Sequence, residues 1–300
     1  MNLPAFGAYL RQRFPPVNMA LFAILFGTVY SVAAALQAGP GAQRAWGWPE
    51  WLGVVATISF FFRLRVFDEI KDYATDLEHH PERVLQQGHV TLGQLQAVAA
   101  VGTLLEVAWS VGMGWRAVVG WALAVGYSLL MRYEFFVPNY LRPRLVLYAL
   151  THILVMPLLI GWLWAAYAAP PLLTPPLGLL GLLSVFGGLA FEIARKIRVP
   201  ADERPGLDSY SRALGYGGAV AAVLVVLLAG VFTQGVLLQR LEARAWPFWL
   251  LAALYAATAA AYAWSLRRPS ARALKLAELL TSLFMLSSYV SIIAEIARRW

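Results

Sequence analysis

The chain has 300 residues, 60% of them hydrophobic and 13% charged, with a mean hydropathy of +0.62 and a formal net charge of +8. Soluble domains average roughly 45–50% apolar and about 25% charged, so disorder, a nucleic-acid-binding arm and nearly every soluble fold are excluded. No cysteine is present, which removes disulfides, thiolate nucleophiles and Cys-ligated zinc. The composition is that of an integral membrane protein, and 12 Trp, 13 Tyr and 15 Phe are enough for two interfacial aromatic belts.

In chain order, Leu3–Phe14 mixes Phe6, Tyr9 and Leu10 with Arg11 and Arg13. It reads as an interfacial helix ended by Pro15-Pro16, without the small-residue cleavage site of a signal peptide. A spanning helix needs about 20 largely apolar residues. Nine such runs follow: Val17–Leu36, Trp51–Phe67, Thr91–Ser110, Arg116–Arg132, Arg144–Ala168, Leu177–Ala194, Ala213–Thr233, Pro247–Leu266 and Ala273–Ala294. With the N-terminus cytoplasmic, 18 of the 24 Lys and Arg residues fall at cytoplasmic ends and loops, and Arg44, Arg116, Arg240, Arg244, Arg298 and Arg299 fall on the other side. This is the positive-inside pattern. The expected fold is an all-α integral membrane bundle of nine transmembrane helices, N-terminus inside, forming one domain over residues 1–300 in the cell membrane. On this reading the net charge describes topology and calls for no nucleic acid.

The acids cluster: ten of 16 lie in two cytoplasmic segments, at about 65–90 and 191–212. Phe67-Asp68 and Phe191-Glu192 open them, a faint internal echo four helices apart. In the first segment Asp68, Asp72 and Asp76 are spaced i, i+4, i+8 and share one face if the helix continues, with Glu69 beside them. Stacked carboxylates repel unless cations neutralise them. Such hard-oxygen clusters suit Mg²⁺, which commonly bridges one or two carboxylates to a substrate phosphate. Arg63, Arg65, Lys71 and Arg83 stand ready for the phosphate oxygens. The plainer alternative is a solvated acidic helix end, paired locally with Lys71 and Arg83.

Asp68-Glu69-x-x-Asp72-x-x-x-Asp76 resembles the NDxxDxxxD signature of the UbiA superfamily of intramembrane prenyltransferases, with Asp68 in place of Asn and Glu69 in place of Asp. Pro81-Glu-Arg-Val-Leu-Gln-Gln-Gly88 is similar to the family's RPL-x-x-G stretch, Val84 replacing Pro. Arg13-Phe-Pro-Pro-Val-Asn18 resembles the start of its first helix, and Tyr127-Ser-x-x-x-Arg132 its Tyr and basic residue near helix four. The second motif departs from the family. Gly206-Leu-Asp-Ser-Tyr-Ser-Arg-Ala-Leu-Gly215 matches the tail of the usual DxxxD segment, but the two aspartate positions are held by Arg198 and Asp202. Either Glu192 and Asp202 make a looser metal site, or Arg195, Lys196 and Arg198 supply the charge of a second ion.

The resemblance implies an enzyme that moves an isoprenyl group from a prenyl diphosphate to an aromatic or other lipophilic acceptor in the membrane, releasing diphosphate, with Mg²⁺ as cofactor. It implies Asp68, Glu69, Asp72, Asp76, Glu192 and Asp202 as metal ligands, the first motif's three aspartates being catalytic. Arg65, Lys71, Arg132, Lys196 and Arg198 would hold diphosphate, and Asn18, Tyr127 and His152 the substrates, at a cytoplasmic active site. A terpene cyclase would use the same ionisation without an acceptor. A cation-coupled transporter is the alternative of another class, although transporter sites normally lie near the bilayer midplane. Of the other intramembrane acids, Glu106 and Glu278 either line a cavity or pair with another helix. His79 and His80 lack zinc-site spacing.

Overall fold

The computed structural model describes residues 2–38, 46–204 and 208–298; Arg44, Gly206 and Arg299 lie outside the described residues. The described residues form α-helices and two short 3₁₀ turns, with no strand among them. In order the helices are α1 (Leu3–Arg13), α2 (Pro16–Ala38), α3 (Trp48–His79), α4 (Leu92–Met113), α5 (Trp115–Arg132) and α6 (Pro138–Leu141). They continue with α7 (Leu145–Ile153), α8 (Val155–Tyr167), α9 (Pro175–Arg195), α10 (Tyr210–Leu214), α11 (Tyr216–Arg240), α12 (Trp246–Arg267) and α13 (Ala271–Ala297). The bundle pairs α3 with α4, α5 with α8, α9 with α11 and α12 with α13.

Seven helical stretches are long and apolar enough to cross a membrane, among them Pro16–Gln37, Leu92–Met113, Leu145–Tyr167 and Tyr216–Arg240. The chain is a multi-pass membrane protein. The runs Trp51–Phe67 and Arg116–Arg132 are helical within α3 and α5 but fall outside those seven stretches. Arg63 and Arg65 charge the first, with Glu50 just before it and Asp68 just after it, and an arginine near each end lowers the hydropathy of the second. Both still reach the same end of the bundle as their neighbours. Trp109 Nε1 of α4 donates to the Pro49 carbonyl of α3 at 2.8 Å, and Arg116 of α5 to the Ala168 carbonyl after α8 at 3.3 Å. Exposed Trp48, Trp115 and Trp249 stand in the first turns of α3, α5 and α12, one interfacial belt.

Local chemistry sets the boundaries. Thr91 Oγ1 accepts from Gln94 N at 3.2 Å while the Gln94 side chain accepts from Thr91 N at 3.2 Å, a capping box that starts α4. Ser270 caps α13 through Ala273 N at 3.2 Å. The single predicted run Arg144–Ala168 is two helices, broken at Leu154. Pro157 explains the break: it has no N–H for the Ile153 carbonyl, and its ring crowds that carbonyl.

Lipid is as apolar as a leucine side chain, so bundle helices are held by close packing and interhelical hydrogen bonds. Gly120 lets two helix backbones approach; a Cβ there would meet Trp162 Cα at 2.8 Å. Between α3 and α4, buried Glu106 accepts from Arg63 Nη2, Ser59 Oγ and Trp121 Nε1, each at 3.0 Å. Glu106 therefore pairs across helices and is absent from the lining of the large cavity described below. Removing either partner leaves a lone charge in an apolar interior, at a cost of about 3–5 kcal/mol.

Candidate active site

Helix α3 has 32 residues, about 48 Å at 1.5 Å per residue, against a hydrocarbon core of about 30 Å. Counted from Trp48, its first twenty residues end at Phe67. The acidic turns from Asp68 to Asp76 are the overhang. The helix continues through all three aspartates, as their spacing requires. Each i,i+4 step also drifts about 40° around the axis, so Asp76 lies well round from Asp68.

The drift separates the acids. Asp68 and Asp72 line a cavity of about 570 Å³. Asp76 Oδ2 is instead held by Arg83 at 2.6 Å and by Arg13 of α1 at 3.2 Å. Glu69, one residue and about 100° from Asp68, is buried against α1. It accepts from Arg13 Nε at 2.7 Å, Arg65 Nη2 at 2.8 Å and the Tyr9 hydroxyl at 3.3 Å. Burial pushes the Glu69 carboxyl up from its ordinary range, while Arg13 works against that. Enclosure by the protein, then the adjacent Asp68 charge, pushes Asp72 up as well.

Four walls bound the cavity: the C-terminal ends of α3, α5 and α9, and α7 running into α8. Lys71 on the α3 wall pairs with Asp68 Oδ1 at 3.2 Å and donates to the Tyr148 hydroxyl at 3.2 Å. Burial alone would lower the Lys71 pKa, but Asp68 and Tyr148 outweigh it and the net direction is up. Arg132 lies over the Phe67 ring, 5.0 Å from its centroid. On the α9 wall Glu192 is clasped by Arg195 at 2.5 Å and Lys196 at 2.9 Å. His152 Nδ1 meets the Tyr148 carbonyl at 2.8 Å, and the two rings stack at 3.9 Å. The cavity therefore gathers Arg65, Asp68, Lys71, Asp72 and Arg132 with His152, Glu192 and Lys196.

The remaining predicted residues lie elsewhere. Asn18 is half-buried at the start of α2, outside the lining. The Tyr127 hydroxyl donates to the Thr151 carbonyl at 2.7 Å and ties α5 to α7. Arg198 and Asp202 are exposed beyond the end of α9. In the second motif's tail, Ser209 caps α10 at 3.0 Å and donates to Glu203 at 2.6 Å. Tyr148 joins the site without having been singled out; its i,i+4 spacing to His152 was the available signal. Arg13 reaches the cavity from α1, which no spacing within either acidic segment could indicate.

Among the described residues no three His, Asp or Glu side chains converge as a metal-holding group. Two carboxylates, Asp68 and Asp72, face the cavity side by side, with Glu192 on another wall. Two carboxylates plus substrate oxygens and water are a normal magnesium environment, so the donors present fit one such ion on the α3 wall.

This is a helical membrane protein with a cavity lined by both cations and carboxylates at one end of its bundle. No family model and no curated sequence matches the chain. Its structure is similar to that of a digeranylgeranylglyceryl phosphate synthase, with a TM-score of 0.70, 14% identity and coverage of 98% of this chain and 99% of that one. A UbiA homologue from Aeropyrum pernix K1 gives a TM-score of 0.63 at 18% identity, over 89% of this chain and 97% of that one. A UbiA homologue from Archaeoglobus fulgidus bound to GPP and Mg²⁺ gives 0.52 at 14%, over 96% and 99%. The chain has the UbiA fold across essentially its whole length.

Proposed function

We propose that the protein transfers a prenyl group from a prenyl diphosphate to a lipophilic acceptor inside the membrane, releasing diphosphate, with Mg²⁺ as cofactor. One observation carries this reading: a single cavity sets Asp68 and Asp72 opposite Lys196, Arg195 and Arg132, with apolar side chains below them. The fold it shares with a homologue bound to GPP and Mg²⁺ supports it.

Asp68 and Asp72 would hold Mg²⁺, which when bound neutralises charge on phosphate oxygens. Lys71, Arg132 and Lys196 hold the diphosphate by charge-assisted hydrogen bonds that strengthen as negative charge builds on it. The C–O bond breaks and its electron pair leaves with the diphosphate; the acceptor bonds to the allylic carbon and gives up one proton, which the released diphosphate takes. Phe61, Leu64 and Phe67 keep water from the cation and offer it aromatic faces. All four walls contribute from one end of the bundle; with nine crossings and the N-terminus inside, that end is cytoplasmic.

Purified protein given prenyl diphosphates, Mg²⁺ and a lipid extract should release diphosphate and form a prenylated lipid. Release without any acceptor product would identify a cyclase instead. Ion flux in proteoliposomes with no diphosphate release would point to transport. A reporter fused at the N-terminus should be protected from external protease in oriented vesicles.

A further inference from the structure

The apolar half of the cavity has a measurable depth and a closed end. On three of the four walls the polar and charged lining residues come first and apolar ones follow, while the α5 wall runs from Arg132 through Met131 to Ser128. On α3 the order is Asp72, Asp68, Leu64, Phe61; on α9 it is Lys196, Glu192, Leu189, Gly188; along α7 and α8, His152 gives way to Ile153 and Met156. Past these residues every wall is sealed. Phe60 of α3, Ala124 of α5, and Leu159 and Ile160 of α8 are 0% exposed, and Leu183 of α9 is 3% exposed. Gly188 closes the corner, because a Cβ there would meet Ile153 Cγ1 at 3.1 Å. The floor is formed by Phe61, Ile153, Met156 and Gly188.

Seven residues separate Asp68 from Phe61 and eleven separate Asp72 from it, or about 10 and 16 Å of helix rise. An isoprene unit adds four carbon–carbon bonds of about 1.5 Å, hence about 5 Å when extended. Measured from Asp68, two extended units reach the floor; measured from Asp72, three do.

We infer that the protein is selective for short allylic diphosphates of two or three isoprene units, and that Ile153 and Met156, backed by Gly188, set that limit. The inference rests on the prenyl-diphosphate reading above and adds to it the substrate's length.

The test is a length series. Diphosphate release by the full chain is measured with geranyl, farnesyl, geranylgeranyl and a longer polyprenyl diphosphate, for the wild type, Ile153→Ala and Met156→Ala. In the wild type, kcat/KM should fall about tenfold between three units and four, the scale on which an apolar pocket discriminates. Each substitution should raise the ratio of four-unit to two-unit activity by about tenfold. The ratio is taken within one preparation, so loss of folded protein cancels. Equal use of two, three and four units by the wild type would overturn the inference, as would a ratio unmoved in both variants. If no length is turned over, the transfer reading fails; thermal-shift titration with the same diphosphates then decides the floor separately. Length-independent affinity in that titration would overturn it.

Discussion

On the α3 wall of the cavity, Asp68 and Asp72 face inward, while Arg13, Arg65 and Arg83 are occupied by Glu69 and Asp76. On the α9 wall the arrangement is reversed. Glu192 is neutralised within its own helix by Arg195 and Lys196, and Asp202 lies exposed past the helix end. Both segments are acidic in sequence, yet one presents carboxylates to the cavity and the other presents cations. The difference comes from where the compensating charges are rooted. Arg13 sits on a separate helix and draws Glu69 and Asp76 away from the cavity, leaving Asp72 with no ion pair of its own among the described residues. Lys196 is one turn from Glu192, so that pair stays at the cavity edge as a unit. On the reading proposed above, the α3 wall supplies the metal ligands, and the α9 wall adds a cation for phosphate oxygens to those of Lys71 and Arg132.

The sharpest way to break this comparison is to exchange the losses. Asp72→Asn should lower kcat by about 10²–10³-fold, the scale seen when one preorganised electrostatic group is removed. Glu192→Gln should cost far less, and equal losses in the two variants would refute the division of labour. Arg13→Met should leave buried Glu69 to Arg65 and Tyr9 alone and destabilise the fold by about 1–3 kcal/mol, read as a lower Tm in detergent. An unchanged Tm would mean that α1 does not anchor the acidic helix. Lys196→Met should weaken diphosphate binding about tenfold through loss of a charge-assisted contact, with the Mg²⁺ titration midpoint little changed. The smallest effect belongs to Asp202→Asn, whose Mg²⁺ titration should match the wild type. A shifted midpoint there would bring the exposed segment back as a metal site.

Membrane residence, the helical bundle and the position of the first acidic motif were legible in the sequence, because each depends on local periodicity and chain length. The twenty helical residues from Trp48 to Phe67 span one membrane thickness, so the acids had to fall on the overhang. The resemblance to the UbiA signature rested on the same acids, and the fold bears it out over nearly the full chain. Roles within the motif were not legible. The i, i+4, i+8 spacing puts Asp76 on the stripe, but about 80° of accumulated drift and two arginines carry it off. Tyr127 and His152 were equivalent on paper; the first bonds across to Thr151 and the second stands in the cavity wall.

The sequence by itself therefore determined the solvent this protein lives in, most of its helices and the end of the bundle at which the first acidic motif falls. Hydrophobic run length and helical spacing act within one segment and need no partner. Only the tertiary structure decided which carboxylates face the cavity, that α1 supplies Arg13 to it, and that Ile153 and Gly188 close its floor. Those outcomes turn on ion pairs and contacts between segments up to sixty residues or more apart, and such pairings exist only once the helices have packed.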